Sequence, residues 1–363
     1  MIEAPRVAEV AVIGGGPAGA VSALLLARLG ISTLLLEASN ELALRIGETL
    51  PPVANRLLRD LGLWNVFCQQ NHRASEGIVS AWTNGRPEVN DFFLSTQGTG
   101  WNLDRKRFDA MLLQECKNAG ALVCRSSKLL TCSRTADQRW LLEFDRQGRK
   151  YQASTRYLVD ATGKLTAGAL RCLSGRFVVD RLIGVAKFYS TAESSAYTIV
   201  EAVDEGWFYS STLPQGRVVI MYFTDADIYS ARRKSDPDYW SKQLKKARCT
   251  RDRLQQATVP RESTIVSAAT TCRVQFSGDG WVTVGDGAQS FDPLSSLGIY
   301  KALDSARCAF EFLLASSNRN RGARDYSNWS GQVFRSYLRQ RTNHYRRQER
   351  WSGSAFWERR RTA

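Results

Sequence analysis

Val10-Ala11-Val12-Ile13-Gly14-Gly15-Gly16-Pro17-Ala18-Gly19, continued by an Ala/Leu-rich run to Arg28 and by Leu34-Leu35-Leu36-Glu37, decides the fold. The apolar run before the glycines reads as a buried strand, the run to Arg28 as a helix, and the leucines as the end of a second strand. Strand, glycine turn, helix and strand in this order make a dinucleotide-binding unit. Gly14 makes the tight turn, Gly16 lets backbone amides approach a pyrophosphate, and Gly19 lets the helix pack close to the strand. Ala18 belongs to the first helical turn, whose positive end faces the phosphates. Glu37 stands 18 positions after Gly19, where an acid accepts hydrogen bonds from a ribose hydroxyl and disfavours a 2′-phosphate. Glycine turns alone occur for purely structural reasons, so the ordered set carries the reading.

Composition bounds the rest. A chain of 363 residues supports a large core in one two-lobed unit or two interleaved domains. No stretch approaches the ~20 apolar residues that cross a bilayer, and Met1-Ile2-Glu3-Ala4-Pro5-Arg6 lacks the pattern of a secretory signal. A cytoplasmic location without membrane attachment is expected. The eight cysteines are scattered with no CxxC pair, and His72 and His344 are the only histidines, so free thiols and no metal site are expected.

The net charge of +15 is unevenly placed. Residues 319–363 hold twelve arginines, no lysine and three acids, and so carry +9 of it. Arginines interleaved with aromatics can serve nucleic acid, but Tyr326, Trp329, Val333 and Tyr337 fall at helical spacing. The favoured reading is a C-terminal helix sealed onto the body with arginines facing solvent, suited to an acidic protein or carrier and not to nucleic acid.

Further blocks lie downstream: Arg45-Ile46-Gly47-Glu48-Thr49, Trp101-Asn102-Leu103-Asp104-Arg105 leading into an amphipathic helix, Val159-Asp160-Ala161-Thr162-Gly163, Val284-Gly285-Asp286-Gly287-Ala288, and Asp292-Pro293-Leu294-Ser295-Ser296-Leu297-Gly298-Ile299. With these the chain resembles, nearly end to end, the FAD-dependent monooxygenase and halogenase superfamily with the p-hydroxybenzoate hydroxylase fold. The resemblance implies FAD, contacted by Arg45 and Arg105, with Asp286 on its ribityl or pyrophosphate portion. Independently of it, Asp286 at a strand end suits sugar hydroxyls, Pro293 and the small residues after it let backbone approach a flat ring, and a helix beginning at Gly298-Ile299 aims its positive end at an anionic ring edge.

The expected fold is therefore α/β (α+β): a Rossmann-like FAD-binding domain (1–75, 100–175 and 270–315) interleaved with a mainly antiparallel substrate-covering sheet (76–99 and 176–269), then a basic, aromatic-rich helical segment (316–363). Strand-like runs between residues 176 and 224 carry the second sheet, with a hairpin at Pro214-Gln215-Gly216. Tyr239 to Leu254 reads as one polar helix with Trp240, Leu244 and Ala247 inward.

Absences narrow the reaction. Halogenases of the superfamily carry a lysine two residues before a glycine and a WxWxIP element; here Ser75 precedes Gly77, and residues 207–214 read Trp-Phe-Tyr-Ser-Ser-Thr-Leu-Pro. The stretch Gly206 to Asp227 and the ending Glu349-Arg350-Trp351 with Phe356-Trp357 instead resemble the flavoproteins that mature tryptophylquinone cofactors of lysine and glycine oxidase-type quinoproteins. That likeness implies hydroxylation of a tryptophan in a precursor quinoprotein, with O2 as co-substrate and FAD reduced by NAD(P)H or a separate flavin reductase. Glu48 is the candidate acid or base, with a turn acid as the bland alternative; Trp82, Trp207 and Tyr209 are candidate pocket aromatics. The alternatives are a hydroxylase or halogenase of a small or carrier-bound aromatic metabolite, a flavin-bearing escort for the precursor, and, more weakly, a reductase of isoprenoid double bonds.

Overall fold

The computed structural model describes residues 7–40, 46–164, 168–191, 195–254, 257, 263–315 and 319–361. Strand Val7–Ile13 pairs in parallel with Thr33–Leu36 on one side and Arg149–Asp160 on the other. Leu122–Cys124 and Trp281–Thr283 extend the parallel sheet outward. Both faces of the Val10–Ile13 half of the central strand are covered, which is why that stretch is continuously apolar. Val10 and Val12 pack with the helix Pro17–Arg28, while Ala11 and Ile13 pack against Trp140, Leu142 and Phe144 of an antiparallel flap. Gly19 makes the first packing possible, since a Cβ there would lie 1.9 Å from the Gly14 carbonyl oxygen.

The second sheet has seven strands in the order Ser263–Ser267, Leu182–Ser190, Arg217–Asp225, Gly206–Leu213, Tyr197–Val203, Gly77–Ala81, Glu88–Asp91. All its pairings are antiparallel except that of Tyr197–Val203 with Gly77–Ala81. The expected hairpin joins Gly206–Leu213 to Arg217–Asp225, and Gln215 and Gly216 both take a φ of 66° in its turn. The fold class is the α/β (α+β) arrangement read from the sequence.

Two readings need correction. The helix expected from Tyr239 to Leu254 is two helices, Tyr239–Lys246 and Arg248–Asp252, broken at Ala247, whose ψ is 89°. Neither glycine nor proline marks the break. Instead the buried Glu201 carboxylate accepts from the Cys249 and Thr250 amides at 3.2 and 2.9 Å, and so rewards a fresh helix start at that point. Nor do all C-terminal arginines face solvent. Tyr326, Phe334 and Tyr337 of the helix Arg319–Arg346 are buried as expected, but so are Arg341 and Arg360. Arg341 pairs with Asp180 at 2.9 Å and Asp292 at 3.4 Å, and Arg360 with Asp225 at 2.6 Å.

His72 is a core histidine. Its ring packs on Phe67 and Phe108, its Nδ1 accepts from the Asp104 amide at 3.2 Å, and burial lowers its pKa to about 4. A lowered histidine pKa means the unfolded chain takes up the proton first, so stability is lost as pH falls from about 6.5 towards 4. Urea midpoints across that window are expected to fall less steeply in His72→Phe; an unchanged slope would place the acid sensitivity elsewhere.

Candidate functional site

A cleft of about 960 Å³ runs between the carboxyl ends of the central parallel strands and one face of the seven-stranded sheet. At one end it is lined by Gly14, Gly16, Ala18 and Glu37. Gly16 caps the helix Pro17–Arg28 without a side-chain hydrogen bond, and no acid occupies the first turn. The helix thus presents uncapped amides where a pyrophosphate fits. Gly14, at φ +107°, leaves no room for a side chain, because a Cβ would meet the Ala161 carbonyl oxygen at 2.4 Å. The Glu37 carboxylate accepts from the Gly15 amide at 2.6 Å and from the Ser39 amide at 3.0 Å. It therefore also ties the glycine turn to the second strand, a task that spacing alone did not reveal. Gly19 does not line the cleft; it acts through packing.

Asp286 lines the cleft from the turn Gly285–Gly287, which presses on the first helix: a Cβ on Gly285 would come within 2.7 Å of the Ala18 methyl. Beneath it lies a buried ion pair, Arg273 to Asp160 at 2.6 Å, and Asp160 also accepts from the Thr162 amide and hydroxyl. Arg176 donates to the Gly287 carbonyl. These contacts hold both turns that face the cleft. Arg105 reaches the cleft from the helix Arg105–Asn118, donating to the Gly47 carbonyl at 2.9 Å and pairing with Asp109 at 3.2 Å. Arg45 lies outside the described residues.

At the far end Pro293, Ser296, Gly298 and Ile299 form one wall. Lys301, one turn along the helix Gly298–Ala315, is buried; it donates to the Gln289 carbonyl at 2.6 Å and sits 3.4 Å from the centre of the Phe291 ring. Tyr209, Met221 and Phe223 line the cleft from the seven-stranded sheet as a second wall, and Glu48 and Thr49 line it as well. The Glu48 carboxyl is buried, and desolvation pushes its pKa up to about 7 against the opposing pull of the Gly47 amide and the Arg105 charge. Thr49 and Tyr209 share a hydrogen bond of 2.5 Å, and burial raises the Tyr209 phenol well above its usual range.

Of the three aromatics singled out in the sequence, only Tyr209 lines the cleft. Trp82 and Trp207 are set one layer behind: the indole N–H of Trp82 donates to the His344 carbonyl, and that of Trp207 to the Tyr345 hydroxyl. Both pack among Trp357 and Tyr345, so an aromatic core absorbs them. Met221 and Phe223 escaped notice because Val218 to Asp225 is buried on both faces and shows no alternation. Ser75 is buried in the short strand Arg73–Ser75 and does not line the cleft; Lys128 and Lys164 do.

The sequence profile of the FAD binding domain matches residues 7–323. The chain belongs to that family. FAD is its cofactor, and the uncapped helix start, the side-chain-free glycine turn and Asp286 fit such a molecule. The flavoprotein is 29% identical over 360 residues to the putative FAD-dependent oxidoreductase LodB of Marinomonas mediterranea, covering 97% of this chain and 96% of that one. Its fold matches the myxobacterial chondrochloren halogenase CndH with a TM-score of 0.89 at 22% identity, over 98% of this chain and 86% of that one. The peptidyl tryptophan dihydroxylase QhpG, essential for tryptophylquinone cofactor biogenesis, matches with a TM-score of 0.75 at 23% identity, over 98% of this chain and 78% of that one. The protein is thus an FAD-dependent oxidoreductase of the monooxygenase and halogenase superfamily. No helix among the described residues is long and apolar enough to cross a membrane.

Proposed function

We propose that this flavoenzyme hydroxylates an indole ring, the side chain of a tryptophan in a precursor quinoprotein, during tryptophylquinone cofactor biogenesis. The observation that carries this reading is Glu48, a buried carboxyl among apolar cleft walls, poised near neutrality to accept the proton of an aromatic N–H. The likeness to LodB along the whole chain supports an FAD-dependent oxidoreductase, and the fold shared with QhpG supports the tryptophan substrate.

In this reading Gly14, Gly16 and Ala18 hold the pyrophosphate, Glu37 the ribose, Asp286 the ribityl portion, and Pro293, Gly298 and Ile299 the ring edge, with Arg105 beside it. Bound FAD, reduced by NAD(P)H or a separate flavin reductase, supplies the chemistry that activates O2. Glu48 holds the indole N–H and, in drawing off its proton, raises electron density on the ring carbons. Met221, Phe223 and Phe291 keep that region dry.

A protein substrate also suits the surface charge. Arg324, Arg335 and Arg339 are exposed on the helix Arg319–Arg346, where an acidic partner face would be steered onto them. Reversing two of them, Arg335→Glu with Arg339→Glu, is expected to slow precursor modification about tenfold at low salt, with the difference shrinking as salt rises. Equal rates at every salt concentration would remove this helix from docking.

The deciding experiment is the mass of a candidate quinoprotein precursor after co-expression with and without this chain. A gain of oxygen at one tryptophan, dependent on the chain and lost in Glu48→Gln, establishes the reading. An unchanged precursor, with NAD(P)H oxidation stimulated by small indoles or phenols, moves the enzyme to metabolite tailoring. Halide incorporation into such a compound would favour the halogenase reading, for which Lys128 and Lys164 in the cleft are the available amines.

A further inference from the structure

We propose that Tyr345, near the end of the helix Arg319–Arg346, is a positioning residue that sets the spacing between the two walls of the flavin cleft. The inference rests on the cleft being the FAD site and is independent of which substrate is oxidised.

Each wall is anchored to the same phenol oxygen. On the cofactor side, Asp292 opens the turn Pro293–Ser295 and is itself almost wholly buried. Its Oδ1 accepts from the Leu294 amide at 3.0 Å, which shapes the turn, while its Oδ2 accepts from the Tyr345 hydroxyl at 2.8 Å and from Arg341 Nε at 3.4 Å. Its own amide donates to the Tyr337 hydroxyl at 2.7 Å. Three residues of one helix therefore hold the residue that leads into the cofactor-facing turn. On the other side, Trp207 donates its indole N–H to the Tyr345 oxygen at 3.1 Å. Trp207 stacks on Phe223 with ring centres 4.1 Å apart, and Phe223 lines the cleft together with Tyr209, two residues along the strand from Trp207.

Stereochemistry leaves the phenol little choice. A hydroxyl has a single proton, which Tyr345 donates to Asp292, and its oxygen accepts from Trp207 through a lone pair. The ring cannot swing aside, because Trp82, Phe356 and Trp357 pack around it with centroid separations of 5.6, 6.4 and 5.9 Å, and Arg341 and Arg360 sit 5.1 and 5.5 Å from its centre. Tyr345 is fully buried. It acts as a strut in which one oxygen fixes the distance from Asp292 to Trp207, and hence from the ring-edge turn to the strand bearing Tyr209.

The test is Tyr345→Phe in the full-length holoprotein. Phenylalanine fills the same volume, and Asp292 keeps Arg341 and the Leu294 amide, so no charge is orphaned and the fold and FAD content are expected to persist. With the strut cut, the flavin's surroundings shift: the visible circular dichroism of bound FAD changes, its midpoint potential moves, and the reaction of reduced flavin with O2 changes by about threefold or more. Trp207→Phe cuts the strut from its other end and is expected to produce the same spectral change. The double variant is expected to add little to either single one, because both break one device.

A Tyr345→Phe protein whose flavin dichroism, potential and O2 reaction match the parent's overturns the proposal, as does a double variant whose changes are the sum of two independent effects. If Tyr345→Phe does not fold, Trp207→Phe alone decides by the same readouts. These measurements use the protein's own flavin and O2, so they stand whether or not a tryptophan is the substrate.

Discussion

A Gly16→Val variant is expected to fold normally and to emerge colourless. Gly16 sits at φ −70° and ψ −178°, a conformation open to any residue, so the substitution introduces no backbone strain. What changes is the space in front of the helix start. Gly16 lines the cleft where the uncapped amides of the first turn meet phosphate oxygens, and a branched side chain there holds the pyrophosphate off. An affinity loss on the order of a hundredfold or more, about 3 kcal/mol, is enough to strip FAD during desalting. Gly19→Ala makes the instructive contrast. Its methyl would collide with the Gly14 carbonyl oxygen at 1.9 Å, so that variant is expected to lose the fold along with the cofactor. Thermal melts and flavin absorbance of both proteins separate the two roles, and a desalted Gly16→Val protein that keeps stoichiometric flavin would sink the assignment.

The second large effect belongs to Glu48. Glu48→Gln preserves shape and removes the base, so FAD is retained while hydroxylation falls by about 10²–10⁴-fold, the usual range for general-base help. In the parent the active form is the carboxylate. With a pKa raised to about 7, activity therefore rises with pH through neutrality, and this limb is expected to vanish in the variant. The stability effect runs the other way. A carboxyl whose pKa is raised on folding holds its proton more tightly in the folded state, so its contribution is full below about 4.5 and is lost as pH climbs towards 7. This opposes the His72 contribution over much of the same window, so the urea midpoint of Glu48→Gln is expected to rise relative to the parent's as pH goes from about 4.5 to 7. Hydroxylation at the parental rate by that variant would reduce Glu48 to a turn acid.

The parts of this site that could be read from the chain are those whose chemistry is local. A glycine that must approach a phosphate, or a helix that must start bare, leaves its mark within a few residues, and Gly14, Gly16, Ala18 and Asp286 all face the cleft. The pocket aromatics were less legible because an apolar strand buried on both faces carries no period. Trp207 and Tyr209 share one face of their strand, yet only the latter reaches the cleft, since Tyr345 and Trp357 from residues far along the chain cover the former. The break at Ala247 was hidden for a similar reason, as its cause is a carboxylate on a strand more than forty residues earlier. Buried Arg341 and Arg360 looked like solvent-facing charges because their carboxylate partners lie in other parts of the sequence.

The reach of these partnerships also bears on when the protein becomes a flavoprotein during its own synthesis. The glycine turn leaves the ribosome before the partners it needs: its strand lies beside Arg149–Asp160, that strand in turn beside Trp281–Thr283, and the turn at Asp292 is gripped by Tyr337, Arg341 and Tyr345. Contacts so distant in sequence form late in folding. A nascent chain halted before the helix Arg319–Arg346 would display the phosphate-binding turn without the clamp on the ring. Cofactor capture is accordingly expected late in biogenesis, once the helix Arg319–Arg346 has grasped the turn at Asp292.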